Sequence, residues 1–339
     1  MVSFKQDGGS YRAGFASIVG RPNVGKSTLT NALVGRKIAI TSDRPETTRH
    51  NIRGIMQADQ AQVVLVDTPG YHKPRTILGQ RLNDQVREAL SDIDVVLFCL
   101  PADQKIGPGD KFIASHLKNV KTAIIAVLTK IDKVGRDSVL ERLTAIQQLD
   151  QHPHYCNFEQ IIAVSAHENT HVDTLRSLLC DAMPASPPLY PLDAVTDEPD
   201  TVMIEEIIRE SALSALRQEL PHSVAVQVDE MIERPDLIDD TVSPSDSNDA
   251  CDSDTAKMDE LCIEPVKCPV DVHVTIYVER ESQKRIVIGK GGAGIRRIRV
   301  KSQGRVRTLL GRKAYIKLHV RVLKNWQSNP KLLSRLGFS

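Results

Sequence analysis

Residues 20–27 read Gly-Arg-Pro-Asn-Val-Gly-Lys-Ser and fit the pattern G-x-x-x-x-G-K-[ST], which constrains both the fold and the ligand of a chain that carries it. An apolar, strand-like run at 15–19 precedes the pattern, and a helix-like segment at 28–34 follows it. In such a loop the backbone N–H groups surround phosphate oxygens, Lys26 contacts the β and γ phosphates, and the Ser27 hydroxyl binds Mg²⁺. A plain glycine turn is the alternative, but the flanking strand and helix favour a nucleotide site.

The first half of the chain alternates between short apolar runs and amphipathic segments. Strand-like runs lie at 15–19, 63–66, 95–100, 123–128 and 160–164. Helix-like segments lie at 79–90, 109–118, 138–148 and 172–183. Continuous apolar runs are typical of strands that are buried on both faces of a parallel sheet. The pattern predicts an α/β fold with a mostly parallel, doubly wound sheet, which binds ligands at the carboxyl ends of its strands.

The sequence Asp67-Thr-Pro-Gly70 directly follows the strand-like run at 63–66. At the end of that strand, Asp67 can hold Mg²⁺ through a water molecule, and the N–H of Gly70 can contact a γ-phosphate. Glycine permits this close approach because it has no side chain. An ordinary turn would be the better interpretation of these four residues in isolation, but their position after a phosphate loop and a strand favours the functional one.

The sequence Thr129-Lys-Ile-Asp132 follows the run at 123–128. The Asp132 carboxylate can accept hydrogen bonds from N1–H and the N2 amino group of guanine, and adenine offers neither donor there, so this residue would select GTP over ATP. Lys130 would lay its stem along the base and reach back to the phosphate loop. A helix-capping aspartate is the alternative interpretation.

Ser165 and Ala166 follow the run at 160–164. A small residue at this position lets a backbone N–H reach the O6 atom of guanine. Serine and alanine are too common to indicate a nucleotide site by themselves. They support one only because they follow the phosphate loop, the Asp67 segment and the Asp132 segment, in that order, along the chain.

The polar segment at 41–50 contains one proline and has the composition of a loop. A threonine hydroxyl in it could bind Mg²⁺ only while a γ-phosphate is present, which would order the loop with GTP and release it after hydrolysis. We expect Thr48 to be this ligand, with Thr47 as the second choice. A surface loop without a metal contact is the alternative.

Together these elements resemble a P-loop GTPase, and the fuller match resembles the bacterial Era family of GTPases. The residues that carry the match are Gly20-Arg-Pro-Asn-Val-Gly-Lys-Ser-Thr, Ile38-Ala-Ile-Thr-Ser, Thr47-Thr-Arg-His and Asp67-Thr-Pro-Gly. The resemblance covers nearly the whole chain. It implies a P-loop GTPase domain of α/β type followed by an α+β, type II KH domain.

The resemblance also implies GTP hydrolysis coupled to assembly of the small (30S) ribosomal subunit, with the KH domain bound near the 3′ end of 16S ribosomal RNA. It implies Mg²⁺ as cofactor and a cytoplasmic monomer that can associate peripherally with the inner face of the cell membrane. Lys26, Thr48 and Gly70 would be catalytic, and Ser27, Thr48 and Asp67 would surround the metal. The nucleotide would contact Asn23, Val24, Gly25, Lys26, Ser27, Thr28, Asp67, Gly70, Thr129, Lys130, Asp132, Ser165 and Ala166.

Three positions bear on how the site would work. Thr129 stands where the family usually has an asparagine that ties the base-binding loop to the phosphate loop, so nucleotide affinity could be weaker. Tyr71 follows Gly70 where many regulatory GTPases have a water-orienting glutamine, so we expect slow hydrolysis without RNA, a partner or a cation. Asn23 resembles the asparagine of related GTPases that use K⁺. An RNA-binding or membrane-associated regulator that holds GTP but barely hydrolyses it is the alternative function.

The second half of the chain has the pattern of a separate RNA-binding domain. A proline-rich segment begins at 183 and predicts a semi-rigid spacer, so we expect a GTPase domain over 1–183, a linker over 184–200 and a KH domain over 201–339. A helix is predicted at 202–220, and strands at 223–228, 270–278 and 314–322.

Gly289-Lys290-Gly291-Gly292 fits the G-x-x-G loop of KH domains, which sits between two helices and clamps a nucleic-acid backbone. The helix–strand–strand–helix–helix–strand order of this half resembles the KH arrangement of the Era family. A glycine-rich turn would be the default interpretation, but a basic helix with Arg296 and Arg297 follows it and favours RNA. From residue 273 to the C-terminus there are 17 Lys or Arg and 2 Glu, a formal difference of 17 − 2 = +15. Such a charge attracts phosphates.

Two further segments carry open alternatives. Trp326 could stack on a base, or it could pack under the last helix. Residues at about 233–268 form an acidic, aromatic-poor insertion that composition predicts to be disordered, and it could compete with RNA for the basic domain or have no function. Elsewhere, six cysteines without C-x-x-C spacing argue against a structural zinc site, and no apolar run approaches the length of a membrane span.

Overall fold

A computed structural model describes residues 11–41, 47–72, 74, 76–215, 224–234 and 268–338 of the chain. Its strands are β1 (Arg12–Val19), β2 (Ile52–Ala58), β3 (Ala61–Asp67), β4 (Val95–Pro101), β5 (Ala123–Thr129), β6 (Gln160–Ala163), β7 (Ala225–Glu233), β8 (Val270–Val278) and β9 (Ala314–Val322). Its helices are α1 (Lys26–Val34), α2 (Ile77–Glu88), α3 (Pro108–Leu117), α4 (Arg136–Asp150), α5 (Val172–Ala182), α6 (Asp200–Ala215), α7 (Glu281–Ile288), α8 (Ala293–Leu310) and α9 (Pro330–Arg335).

The first six strands form one sheet in the order β2-β3-β1-β4-β5-β6 across the described residues. Every neighbouring pair is parallel except β2 and β3, which are antiparallel. Helices α1 and α5 pack on one face, and α3 and α4 on the other, so each face of the central strands is buried. The predicted α/β class and the mostly parallel sheet are confirmed, and the carboxyl ends of β1, β3, β5 and β6 meet at one edge.

Strand β2 was not predicted, and its glycine explains why. Gly54 interrupts the segment 52–58, and a glycine inside a segment makes a strand less expected there. In the structure a side chain at Gly54 would begin only 2.2 Å from the Cδ1 atom of Ile38. Gly54 therefore leaves room for the Ile38 side chain, and the segment before the polar loop packs directly against this strand.

The proline-rich segment lies along β2 and β3 and is held there by hydrogen bonds. The Gln62 side-chain oxygen accepts hydrogen bonds from the backbone N–H groups of Leu189 (2.8 Å) and Tyr190 (2.9 Å). The backbone N–H of Ile55 donates to the Val195 carbonyl at 2.8 Å. Contacts of this kind fix the direction in which the chain leaves the first domain.

The second domain has the order α6-β7-β8-α7-α8-β9 that was predicted, with the bounds of β8 and β9 as expected. In its sheet, β8 is antiparallel to β7 and parallel to β9. Helix α6 ends at Ala215 among the described residues, whereas a longer helix was predicted, and residues 216–223 lie outside them. The predicted acidic insertion falls almost entirely on residues 235–267, which also lie outside the described part.

After β9 the chain forms a short 3-10 turn, Trp326–Ser328, and helix α9. Trp326 is fully buried and packs with Leu333 and Phe338 against Leu78 and Leu82 of α2. Packing, not base stacking, is therefore the role of Trp326 in this structure. None of the helices in the described ranges is long and apolar enough to cross a membrane.

Candidate functional site

The phosphate loop links β1 to α1 and takes a conformation suited to an anion. Asn23 (φ 63°) and Gly25 (φ 101°) both lie in the left-handed region, and Gly25 is the residue that precedes the helix. Because no side chain caps α1, the N–H groups of its first turn point out of the helix end. The loop and the helix end therefore form one concave surface of backbone donors.

Lys26 is buried within this loop at 6% exposure. Its ammonium donates hydrogen bonds to the carbonyl oxygens of Gly20 (3.2 Å) and Arg21 (3.1 Å). Burial lowers the pKa of the Lys26 ammonium, although the nearby charge of Asp67 opposes this shift. A cation held in this place would stabilise negative charge on phosphate oxygens.

Three predicted metal-binding oxygens converge beside Lys26. The Ser27 hydroxyl donates to the Asp67 Oδ2 atom at 2.6 Å, and the Thr48 Oγ1 atom lies 2.9 Å from Ser27 Oγ and 3.4 Å from Asp67 Oδ2. Ser27 comes from the start of α1, Thr48 from the segment before β2, and Asp67 from the end of β3. The structure thus brings together three residues that lie far apart in the sequence.

These oxygens fit a hard cation such as Mg²⁺. The other carboxylate oxygen of Asp67, Oδ1, is buried and has no hydrogen-bond partner among the described residues. Burial raises the pKa of the Asp67 carboxyl from 3.8 to about 6, and the charge of Lys26 and the two hydroxyl donors only partly offset this. Hydroxyl and carboxylate oxygens are the ligands that Mg²⁺ prefers, and a divalent ion would favour the ionised carboxylate.

Gly70 and Tyr71 connect the end of β3 to the phosphate loop. A side chain at Gly70 would begin 2.6 Å from the Cγ atom of Pro22, so only glycine fits against that loop. The N–H of Tyr71 donates to the Gly20 carbonyl at 3.1 Å. The Tyr71 ring is 2% exposed and packs against Phe112 and His116 of α3, with ring centroids 5.6 Å apart in each pair.

Thr129 occupies the position at which an asparagine was expected, and its hydroxyl performs the same connection. At the end of β5, Thr129 donates from Oγ1 to the Val24 carbonyl of the phosphate loop. Thr129 is 4% exposed, so this bond is shielded from water. A second tie comes from Lys130, whose ammonium donates to the Asn23 carbonyl at 2.6 Å.

Asp132 and Ser165 meet at the far end of the same edge. The Ser165 hydroxyl donates to the Asp132 Oδ1 atom at 2.7 Å. The predicted residues Asn23, Gly25, Thr28, Thr129, Lys130, Asp132 and Ala166 line one cavity of about 590 Å³. This volume lies within the range of pockets that enclose small molecules, roughly 300–1,000 Å³.

The same cavity includes four residues that were not predicted to contact the nucleotide: Thr41, Gln104, Lys133 and His167. Lys133 and His167 directly follow Asp132 and Ala166, so their place next to a predicted motif was an available signal. Gln104 lies just past the end of β4, where the rule about the carboxyl ends of parallel strands could have identified it.

The G-x-x-G loop lies between α7 and α8, as predicted. Gly289, Gly291 and Gly292 have φ angles of 72°, 59° and 78°. A side chain at Gly289 would begin 2.6 Å from the backbone nitrogen of Gly294, whereas one at Gly291 would meet nothing within 4 Å. Lys290 at the tip is exposed, and so are Arg296 and Arg297 in the first turns of α8.

Two family models match the chain. One is described as a 50S ribosome-binding GTPase and matches residues 15–130, and the other is the KH domain and matches residues 259–327. The first covers the phosphate loop, the converging oxygens of Ser27, Thr48 and Asp67, and the start of the Thr129 motif. The second covers the G-x-x-G loop and the basic helix.

Relatives and solved structures match over nearly the whole length. The chain is 48% identical to GTPase Era of Streptomyces coelicolor over 97% of this chain and 95% of the relative. It is 47% identical to GTPase Era of Mycobacterium tuberculosis over 97% and 99%. Among structures, Era in complex with MgGDPNP and nucleotides 1506–1542 of 16S ribosomal RNA matches with a TM-score of 0.83 and 30% identity, over 97% of this chain and 99% of that one.

A variant of Aquifex aeolicus Era bound to GDP·AlF4⁻ matches with a TM-score of 0.81 and 30% identity over the same shares of the two chains. Because the phosphate loop, the cavity beside Asp132 and the KH domain occur here in one chain with this full-length similarity, the protein belongs to the Era family of GTPases.

Proposed function

We propose that this GTPase binds the 3′ end of 16S ribosomal RNA through its KH domain and assists assembly of the small (30S) ribosomal subunit. The observation that carries the proposal is the pairing, in one chain, of the converged Ser27, Thr48 and Asp67 oxygens with an exposed G-x-x-G loop and basic helix. The similar Era structure that contains MgGDPNP and 16S ribosomal RNA supports it.

In this proposal the phosphate groups of GTP lie in the loop formed by Asn23–Thr28, and Lys26 leaves its two carbonyl partners to contact the β and γ phosphates. Mg²⁺, held by Ser27 and Thr48 and through water by Asp67, would neutralise charge on the phosphate oxygens. The Gly70 N–H contacts the γ-phosphate. Each of these interactions strengthens as charge develops on the transferred group.

Asp132 accepts hydrogen bonds from guanine. The Ser165 hydroxyl holds the carboxylate in place by donating a hydrogen bond to its Oδ1 atom. The backbone N–H of Ala166 contacts the O6 atom of the base, and the Lys130 stem covers one face of it. Thr129 keeps this base-binding loop at a fixed distance from the phosphate loop through Val24.

Intrinsic hydrolysis is slow in this proposal because the side chain after Gly70 cannot orient a water molecule. The Tyr71 ring is buried and packs against Phe112 and His116 of α3. RNA, a partner or K⁺ near Asn23 would supply the missing stabilisation. Equal turnover in Na⁺ and K⁺ buffers would remove K⁺ from this account.

In the second domain, phosphates of single-stranded RNA approach Gly289, Gly291 and Gly292, where no side chain blocks them, and Lys290, Arg296 and Arg297 supply positive charge. The same basic surface would hold the protein at the anionic inner face of the cell membrane, and the protein would act as a monomer in the cytoplasm.

Single-turnover hydrolysis of GTP, with and without an RNA of the sequence of the 16S 3′ end, tests the function. We expect slow hydrolysis alone and a clear acceleration by the RNA, but not by an RNA of the same length and scrambled sequence. No hydrolysis under either condition would instead support a regulator that holds GTP without turning it over.

A further inference from the structure

Arg49, which directly follows Thr48, is buried to an extent unusual for a charged residue. It is 1% exposed and is among the largest fully buried side chains of the described residues. Removing a guanidinium from water is costly unless its contacts compensate. The positions of those contacts therefore show what the burial of Arg49 achieves.

Two contacts of Arg49 lie in the KH half of the chain. Its Nη1 atom donates a hydrogen bond to the Val224 carbonyl, just before β7, at 2.6 Å. Its guanidinium carbon lies 5.6 Å from the centroid of the Trp326 ring. The residue next to a predicted Mg²⁺ ligand is thus fixed by the RNA-binding domain and not by its own domain alone.

The C-terminal segment, residues 326–338, extends this contact. His50 stacks on Phe338 with ring centroids 5.0 Å apart and an interplanar angle of 12°. Phe338 in turn stacks on Trp326 at 5.9 Å. On the other side, Arg81 of α2 donates to the Phe338 carbonyl. The segments that follow Thr48 and Gly70 therefore both pack on the C-terminal segment.

A separate contact leads from the same region to the basic helix. The Lys37 ammonium (2.8 Å) and the Thr41 backbone N–H (3.3 Å) donate to the Oε1 atom of Glu210 in α6. The other oxygen of Glu210 accepts a hydrogen bond from Arg305 of α8. Helix α8 begins directly at the G-x-x-G loop, so a shift of α6 relative to the first domain would reach the proposed RNA site.

We propose that Arg49 is a positioning residue for Thr48, and that its contacts with Val224 and Trp326 are the ones through which the KH domain responds to the terminal phosphate. Thr48 is required only when a γ-phosphate is present, so the contacts of Arg49 matter for GTP and not for GDP. This inference rests on the proposed function, because it assumes that Thr48 binds Mg²⁺ and that the second domain binds RNA.

Arginine is suited to this position and lysine is not equivalent to it. The planar guanidinium can donate to the Val224 carbonyl while its face lies over the Trp326 ring, whereas an ammonium is more strongly hydrated and has no flat face. Coupling between two binding sites is reciprocal. If contacts with the KH domain fix the position of Thr48, then binding of GTP at Thr48 must in turn affect RNA binding by the KH domain.

The test compares the full-length Arg49→Met, Arg49→Lys and Arg53→Met variants with the wild type. Methionine keeps an unbranched apolar stem but removes the charge and the donors. Arg53, on β2, is the matched control because its guanidinium is half-exposed and pairs with Asp197 of the linker. The measurements are affinity for GDP, affinity for GDPNP with Mg²⁺, kcat and KM for GTP, and affinity for the 16S 3′-end RNA in each nucleotide state.

We expect Arg49→Met to leave GDP affinity within about twofold and to lower GDPNP affinity and kcat about tenfold. We also expect it to abolish the difference in RNA affinity between the two nucleotide states. The tenfold figure lies within the usual range for coupling between two sites, about 5- to 150-fold. Arg49→Lys should restore part of each loss, and Arg53→Met should behave as the wild type. Unchanged GDP affinity also demonstrates a folded site.

Trp326→Leu keeps Arg49 but removes the ring next to its guanidinium, and it replaces Arg49→Met if that variant does not fold. We expect Trp326→Leu to lower the affinity for GDPNP and to leave the affinity for GDP unchanged. Equal losses of GDP and GDPNP affinity, or a full nucleotide effect on RNA binding in Arg49→Met, would overturn the inference while leaving the proposed function intact. A wild type whose RNA affinity does not depend on the nucleotide would also overturn the inference, whereas a wild type that does not bind the RNA in either nucleotide state would defeat the proposed function.

Discussion

The Thr129 hydroxyl donates a hydrogen bond to the Val24 carbonyl, across 105 residues of sequence, and so joins the base-binding loop to the phosphate loop. The family pattern has asparagine at this position, and the sequence alone suggested a weaker site. The structure shows that a shorter side chain makes the connection because the end of β5 lies directly beside the phosphate loop.

Thr129→Ala tests this connection. It would leave the buried Val24 carbonyl without its side-chain donor, which costs about 1–3 kcal/mol, so we expect GTP and GDP affinities to fall together by roughly tenfold. Isothermal titration calorimetry measures both. Thr129→Ser keeps the hydroxyl and should bind like the wild type, and an unchanged affinity in Thr129→Ala would show that the bond does not support nucleotide binding.

Protonation of Asp67 should oppose magnesium binding in mild acid. The pKa of this acid is raised by burial to about 6, so without metal the carboxyl gains a proton as pH falls through about 6, whereas Mg²⁺ requires the ionised form. The favourable contribution of the raised pKa to folding is present in acid and is lost as pH rises through about 6.

We therefore expect the Mg²⁺ affinity of the GDP-bound protein to be nearly constant above about pH 7 and to fall by up to about tenfold per pH unit below about pH 6. Magnesium titrations across this range measure it. Asp67→Asn is the control for protonation of the nucleotide itself, and it should bind weakly with a flatter pH profile. A wild-type profile that matches the control would contradict the role of Asp67.

Asp132→Asn should change which base is bound. The amide cannot accept both hydrogen bonds from guanine, but it can donate one to the carbonyl that xanthine carries in place of the guanine amino group. We expect GTP affinity to fall by about 100-fold or more and xanthosine triphosphate to bind better than to the wild type. Competition titrations compare the two nucleotides, and a variant that still prefers GTP would place the base elsewhere.

Substitutions at Gly291 should separate RNA binding from GTP hydrolysis. A side chain at Gly291 would meet no atom within 4 Å, and Asn and Asp tolerate its positive φ angle better than other residues. Gly291→Asp and Gly291→Asn have nearly the same shape and differ by one charge. We expect RNA affinity to fall about tenfold more in the Asp variant, with basal GTP hydrolysis unchanged in both, because the added negative charge repels RNA phosphates.

Fluorescence anisotropy with labelled 16S 3′-end RNA measures this difference, which should shrink as salt is raised. If the two variants bind RNA equally well, phosphates do not approach the loop at Gly291.

Much of the site could be predicted because its residues follow strands whose order the apolar runs reveal. Ser27, Asp67 and Asp132 were predicted from their motifs together with the rule that parallel strands present their carboxyl ends at one edge. Gly54 and β2 could not be predicted in this way, since the glycine that weakens a strand in sequence is explained only by Ile38 packing on it.

Contacts between the two halves of the chain also could not be predicted from the sequence. The bond from Arg49 to Val224 joins residues 175 apart, and no local pattern marks either residue as its partner. Likewise, the burial of Tyr71 depends on Phe112 and His116 of α3, which periodicity identifies as helical without indicating what they cover. Local patterns specified the elements and the motifs, whereas tertiary packing alone specified the interface.

The most direct test of the central claim is the affinity of the full-length, wild-type protein for the 16S 3′-end RNA, measured in saturating Mg²⁺ with GDPNP and with GDP at one fixed salt concentration. We expect tighter binding with GDPNP by about 5- to 150-fold, the usual range for coupling between two sites. Equal affinities in the two nucleotide states would contradict it, because the terminal phosphate would then have no influence on how the KH domain holds RNA.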